Sequence, residues 1–183
     1  MKKLLFTILL ITTWSCSSSD DSTSETPVGT LLTATVNGQD FAASDELVNA
    51  TLTLGGIVNI FTVTGAFAES SSGMAKSESI GIVLSFDDET DFTNGTEWSS
   101  TNTDTTNRVI GQYIIGAATL SEADAIIAST DANNGSAFLK ITSLNTSSQT
   151  ISGEFNFTAI DEDNGETYQI ANGKFNNIGY QLN

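Results

Sequence analysis

Apolar and polar side chains alternate, residue by residue, through most of the chain after position 30. Ile80, Ile82, Leu84 and Phe86 alternate with Ser79, Gly81, Val83 and Ser85. Ala137, Leu139 and Ile141 alternate with Phe138, Lys140 and Thr142. Ile151, Gly153, Phe155, Phe157 and Ala159 alternate with Ser152, Glu154, Asn156 and Thr158. A period of two places one set of side chains on a core face and the other toward water, which is the signature of a β-strand. The Thr, Val, Ile and Phe that fill these runs also suit a pleated surface. The pattern predicts nine strands, at 31–36, 47–54, 57–65, 78–86, 107–115, 136–143, 150–160, 166–172 and 174–181.

The breaks between runs agree. Asn-Gly stands at Asn37-Gly38, Asn94-Gly95, Asn134-Gly135, Asn164-Gly165 and Asn172-Gly173. Both residues accept the positive φ of tight hairpin turns. Asn134-Gly135 and Asn164-Gly165 fall between alternating runs and predict hairpins, whereas Asn172-Gly173 reads as a bulge inside one long run. The segment 121–130 is ambiguous. Ser121-Glu122-Ala123-Asp124 has the spacing of a helix capping box, with Ala123, Ile126 and Ile127 on one helical face. The same residues allow a strand over 125–130. Many short strands with tight turns predict an all-β domain, an antiparallel β-sandwich or, as the alternative, a closed up-and-down barrel. No internal repeat is evident.

The N-terminus follows another logic. Met1-Lys2-Lys3 precedes the apolar run Leu4 to Ile11, the charge and length of an export signal rather than a membrane span, which needs about 20 apolar residues. The run leads into "TTWSCSSSDD" (12–21), which holds the sole cysteine, Cys16, after a small residue, Ser15. This resembles a bacterial lipobox, whose thiol receives a diacylglyceryl group. Residues 1–15 then read as a lipoprotein signal peptide. Residues 16–29 are a lipidated Cys and tether, and 30–183 a single β domain. Ser19, Asp20 and Asp21 resemble the short Ser/Asp signal that routes lipoproteins of Bacteroidetes-type bacteria to the outer face of the outer membrane. Thirteen residues, 17–29, separate the cysteine from the domain and reach about 45 Å when extended.

Charge narrows the partners. Six basic residues face 22 acidic ones, a formal charge of −16. Loss of residues 1–15 takes Lys2 and Lys3 and leaves −18. Such a surface repels nucleic acid, whose phosphates need Lys and Arg. It equally repels anionic lipid, so membrane attachment falls to the acyl chains.

The run "GSAFLKITSLNTSSQTISGEFNFTAIDEDNGETYQIANGKFNNIGY" (135–180) resembles a lipoprotein family of Bacteroidetes-type bacteria that carries a domain of unknown function. The likeness rests on Ile141-Thr142, on Ile151-Ser152-Gly153 with Phe155 and Phe157-Thr158-Ala159, and on Asn172-Gly173 with Phe175, Asn177, Ile178 and Tyr180. "TATVNGQDFAA" (33–43) is similar to that family's opening strand, and Ala171 stands where the family carries Thr. The resemblance implies a β-rich envelope lipoprotein and transfers no catalytic residue.

Histidine is absent and Cys16 is assigned to lipid. Ser-His and Cys-His catalysis and imidazole or thiolate metal sites are thereby excluded. No phosphate-binding glycine loop is present. The chain is expected to be no enzyme. A carboxylate-based glycan hydrolase is the least favoured alternative, since 22 acids place some pair together in any fold. Two acidic clusters stand out, "DDETD" (87–91) and "DEDNGE" (161–166). In the second, Asp161, Asp163, Asn164 and Glu166 offer hard oxygens of the kind calcium takes. An acidic hairpin turn kept soluble by its charge is the favoured reading there. No other cofactor is expected. Trp98, within the polar stretch 93–104, is a candidate platform for a glycan, against the ordinary alternative of a tryptophan that seals one end of the core. The expected role is a non-catalytic binding or accessory module, lipid-anchored on the outer membrane and facing the cell exterior. It would meet a glycan or an envelope protein. A purely structural envelope lipoprotein is the alternative.

The anchoring reading has a direct check. Cys16→Ala abolishes fatty-acid labelling and releases the protein from membranes, while protease shaving of intact cells degrades the wild type. An unmodified, freely soluble native chain refutes the anchor, and full protection from protease refutes surface display.

Overall fold

A computed structural model describes residues 30–71, 74–100, 107–119, 123–130 and 136–183. Among them are eleven strands, two single-turn 3-10 helices and no α-helix. The strands are β1 (Leu32–Val36), β2 (Gln39–Ala42), β3 (Val48–Thr53), β4 (Asn59–Ser71), β5 (Met74–Phe86), β6 (Glu97–Ser99), β7 (Arg108–Thr119), β8 (Ala123–Ser129), β9 (Ala137–Asn145), β10 (Thr150–Asp161) and β11 (Thr167–Leu182).

The all-β expectation holds. Successive pairings run β11–β3–β4–β5–β7–β8–β10, and β10 pairs again with β11, so these strands form a ring. The ring is compatible with the sandwich and with the barrel. The β1–β2 hairpin hangs from β11 beside β3, and β9 and β6 extend the sheet beyond β10. One pairing departs from the antiparallel expectation: Tyr180, Gln181 and Leu182 run parallel to Ala50, Thr51 and Leu52. The seam between β8 and β10 is only two residue pairs long, Ile160 with Ser129 and Asp161 with Ala128.

Eight of the eleven strands lie where the alternation puts them, the last two predicted runs being one strand, β11. The Asn172-Gly173 bulge joins them. Asn172 has φ 52°, and the register with β10 shifts between Phe155 and Phe157. The β1–β2 turn has positive φ at both Asn37 and Gly38, the type I′ geometry that Asn-Gly favours. Gly165, also at positive φ, closes the β10–β11 hairpin as expected. Asn134-Gly135 lies outside the described residues.

Three strands escaped the pattern. β2 and β6 each bury one side chain, Phe41 and Trp98, too few to show a period. β8 is the ambiguous segment, and the strand alternative is the one adopted. The β4–β5 hairpin runs much further than predicted, to Ser71 and Met74, because the two strands pair with each other throughout. Hydrophobic alternation stops near Phe67 because no core lies opposite. Alternation reports burial, and pairing continues without it.

The core is dominated by aromatic and branched side chains, among them Phe61, Phe86, Phe155, Phe157 and Phe175, all essentially inaccessible. Burial of each such side chain contributes about 1.5–3 kcal/mol. Glycines make room for three of the rings. Gly173 pairs across the hairpin with Phe155, and Gly153 pairs with Phe175. A Cβ at Gly173 would overlap the Phe155 ring, one at Gly153 the Phe175 ring, and one at Gly111 the Phe157 ring. Each phenylalanine therefore lies over a bare backbone, and Phe155 and Phe175 stack 6.4 Å apart.

Gly111→Ala, Gly153→Ala and Gly173→Ala each destabilise the domain by about 1–3 kcal/mol through overpacking. Gly179→Ala, where a Cβ meets nothing within 4 Å and φ is not positive, serves as control. Urea unfolding of the four variants checks this, and equal stabilities across the set refute it.

Candidate functional site

One end of the ring opens into a pocket of about 220 Å³. Its walls come from four separate places in the chain. Leu52 and Leu54 come from the end of β3, and Tyr180 and Leu182 from the end of β11. The parallel pairing holds these two strand ends together, extended by Asn183 N–H donating to the Leu52 carbonyl at 2.9 Å. Leu144, Thr146 and Gln149 come from β9 and the turn that follows. That turn is shaped by Asn145, whose Oδ1 accepts from the N–H groups of Ser147 and Ser148, both at 3.0 Å. It is tied to β11 by Tyr180 N–H donating to the Gln149 carbonyl.

The fourth wall is Glu89 and Phe92, on the segment of the first acidic cluster. Asp88 caps the 3-10 turn Glu89–Asp91, its Oδ1 accepting from the Thr90 N–H at 2.9 Å and from the Thr90 hydroxyl at 2.8 Å. These two bonds hold the Asp88 carboxyl below the usual carboxylate range. Phe92 follows the turn and is buried against Phe61 and Phe86, ring centroids 5.2 Å away in each case. The segment is further tied to β9, since Asn94 Oδ1 accepts from the Leu144 N–H and Gly95 N–H donates to the Ile141 carbonyl.

Near the opposite end, Tyr113 donates its hydroxyl to Glu78 Oε2 at 3.1 Å, and Lys76 lies 2.8 Å from the other oxygen of Glu78. The Tyr113 ring lies 5.1 Å from that of Tyr168. Burial, then the charge of Glu78, pushes the Tyr113 phenol well above the usual tyrosine range. Burial, then Glu166, raises Tyr168. Both phenols stay neutral near pH 7, and the Tyr113 hydroxyl is held by Glu78.

The residues singled out by sequence fare differently. Cys16, Ser19, Asp20 and Asp21 lie outside the described residues. Trp98 is only 8% exposed and packs against Phe86 and Phe92, centroids 6.4 and 6.1 Å away. It seals the core beneath the pocket and shows no open face to a glycan. Asp161 is buried, its Oδ1 accepting from the Asp163 N–H at 3.0 Å, and Asn164 Oδ1 accepts from the Glu166 N–H at 2.6 Å. These oxygens build the hairpin turn, together with the Gly165 N–H bond to the Asp161 carbonyl. Among the described residues no group of three or more His, Cys, Asp or Glu side chains could hold a metal ion.

The pocket itself was invisible in the sequence. Of its described lining, only Glu89 belonged to one of the two acidic clusters that stand out in the sequence. The one available signal was apolar residues kept at the strand ends, Leu54 just after β3 and Leu182 closing β11, where a solvated end would be polar.

The Tyr113 shift has a measurable sign. Below pH ~10 the phenol is neutral in both folded and unfolded chains. As pH rises past ~10 only the unfolded chain releases the proton, so stability falls. Tyr113→Phe removes that component and flattens the decline between roughly pH 9.5 and 11. Unfolding free energies across this range provide the check, and identical slopes for wild type and variant count against it.

A family model described as a domain of unknown function, DUF6252, matches residues 30–179. No curated protein and no solved structure matches the chain.

Proposed function

This chain belongs to the DUF6252 family of domains, and we propose that it works as a lipid-anchored, non-catalytic binding module of the cell envelope. The acyl chains on Cys16 hold it to the outer membrane, in the manner of the Bacteroidetes-type lipoproteins it resembles. Ser19, Asp20 and Asp21 direct it to the cell exterior. The globular domain presents the pocket at the β3–β11 end to its ligand.

The pocket is the observation that supports this reading. It is concave and mostly apolar, and a few polar groups, Glu89, Thr146, Gln149 and Tyr180, share its lining. That composition is typical of small-ligand sites. Its walls are strand ends and turns braced by a rigid sheet, where binding residues are generally found. Among the described residues the lining holds no Ser-His, Cys-His or paired-carboxylate arrangement, which favours binding over turnover. Calcium and glycan platforms have no part in the reading, since Asp161 and Asn164 are spent on their own turn and Trp98 on the core.

The full chain, screened against a fragment library and a glycan array, captures small apolar ligands, and Leu144→Trp, which fills the cavity, blocks that capture while circular dichroism stays unchanged. Capture that survives Leu144→Trp overturns the pocket reading. Turnover of a glycan that vanishes when one carboxylate becomes an amide overturns the non-catalytic one.

A further inference from the structure

We propose that the pocket takes a small organic cation, an ammonium group carried on a single aromatic or branched apolar body. The inference rests on the reading of this pocket as the binding end of the module, and it specifies the ligand's chemistry.

Size sets the first limit. A dry cavity of ~150 Å³ accommodates benzene, so about 220 Å³ holds one ring and a short arm. Leu52, Phe92 and Leu144 supply the apolar walls for that ring.

Two polar groups set the second. Tyr180 is only 6% exposed. Its hydroxyl has no hydrogen-bond partner among the described residues. Tyr180 lines this pocket, which places its side chain beside any bound ligand. A buried polar group without a protein partner is an open position for a ligand's hydrogen bond. Glu89 stands at the rim, exposed, and neither an ion pair nor a hydrogen bond to its carboxylate exists among the described residues.

Charge sets the third. Glu89 sits in a run with Asp87, Asp88 and Asp91, and among the described residues no lysine or arginine lines the pocket. Lys76, Lys140 and Lys174 are each beside a glutamate, Glu78, Glu97 and Glu154, and Arg108, paired with Ser85 at the foot of the acidic run, is absent from the described lining. Asp87, Asp88, Glu89 and Asp91 outnumber that one arginine, so the charge carried by this segment is net negative. An ammonium group is drawn in and donates to the Glu89 carboxylate and the Tyr180 oxygen. A carboxylate ligand of the same shape is repelled, and a neutral one gains the apolar contacts alone.

The test uses the full chain in phosphatidylcholine nanodiscs, with empty nanodiscs as blank, titrated calorimetrically with 2-phenylethylamine, 2-phenylethanol and phenylacetate. The amine binds roughly tenfold tighter than the alcohol, as a charge-assisted hydrogen bond warrants, and the acid binds weakest. Glu89→Gln, an exposed change that leaves the fold alone, brings the amine down to the level of the alcohol. Tyr180→Phe weakens the amine several-fold. Equal binding of amine and alcohol to the wild type, a preference that persists in Glu89→Gln, or no binding of any of the three probes overturns the cation assignment. The pocket reading stands or falls separately, on whether Leu144→Trp blocks whatever ligand the wider screen has found.

Discussion

The reciprocal pairing of glycine and phenylalanine across the β10–β11 hairpin is the constraint on which the rest of the structure depends. Gly153 faces Phe175, and Gly173 faces Phe155. Each ring lies over the backbone of the strand beside it, so the two strands are locked in register twice over, from opposite sides. β11 can then serve as a hub. Along its other edge it pairs with β1 in the middle of its length and with β3 at its end, in opposite directions. A slip of one residue would turn every one of these side chains to the wrong face. The bulge at Asn172 absorbs the extra length and keeps Ile170 and Phe175 both pointing into the core.

This rigidity reaches the pocket through short links. Phe175 touches Phe61, Phe61 touches Phe92, and Phe92 is both a core ring and a pocket wall. Trp98 braces Phe92 from behind. The apolar half of the pocket is thus continuous with the core, while the polar half hangs on turns that satisfy their own backbones through Asp88 and Asn145. Glu89 stays outside those internal hydrogen bonds, and its charge remains available at the mouth. The acidic excess of the chain acquires a local meaning there that net charge alone could not give.

The two ends of the domain contrast. At the Tyr113 end, hydroxyl, carboxylate and ammonium close on one another in the series Tyr113, Glu78 and Lys76. At the pocket end, the Tyr180 hydroxyl and the Glu89 carboxylate meet no such partner among the described residues. Similar residue types therefore stabilise one end and stand open at the other. The difference lies in which strand brings a lysine alongside.

Sequence alone determined the class of the fold, most of the strands, the hairpin at Asn164-Gly165 and the bulge at Asn172-Gly173. These are local matters: a period of two follows from the pleat, and positive φ follows from the residue at the turn. Sequence also raised the expectation of an export signal and of a lipid anchor at Cys16, which lie outside the described residues. Tertiary structure decided the rest. The parallel contact of β3 with β11, the closing of the ring through β8 and the role of the short strands β2 and β6 depend on neighbours far away in the chain. The pocket brings together residues from position 52 to position 182, a distance that no window of sequence can span. Trp98 and Asp161 looked like candidates because of the polar residues beside them in sequence, yet the aromatic rings and backbone N–H groups around them in space gave both a structural task. A side chain's role follows from what surrounds it after folding, and only the folded chain supplies those surroundings.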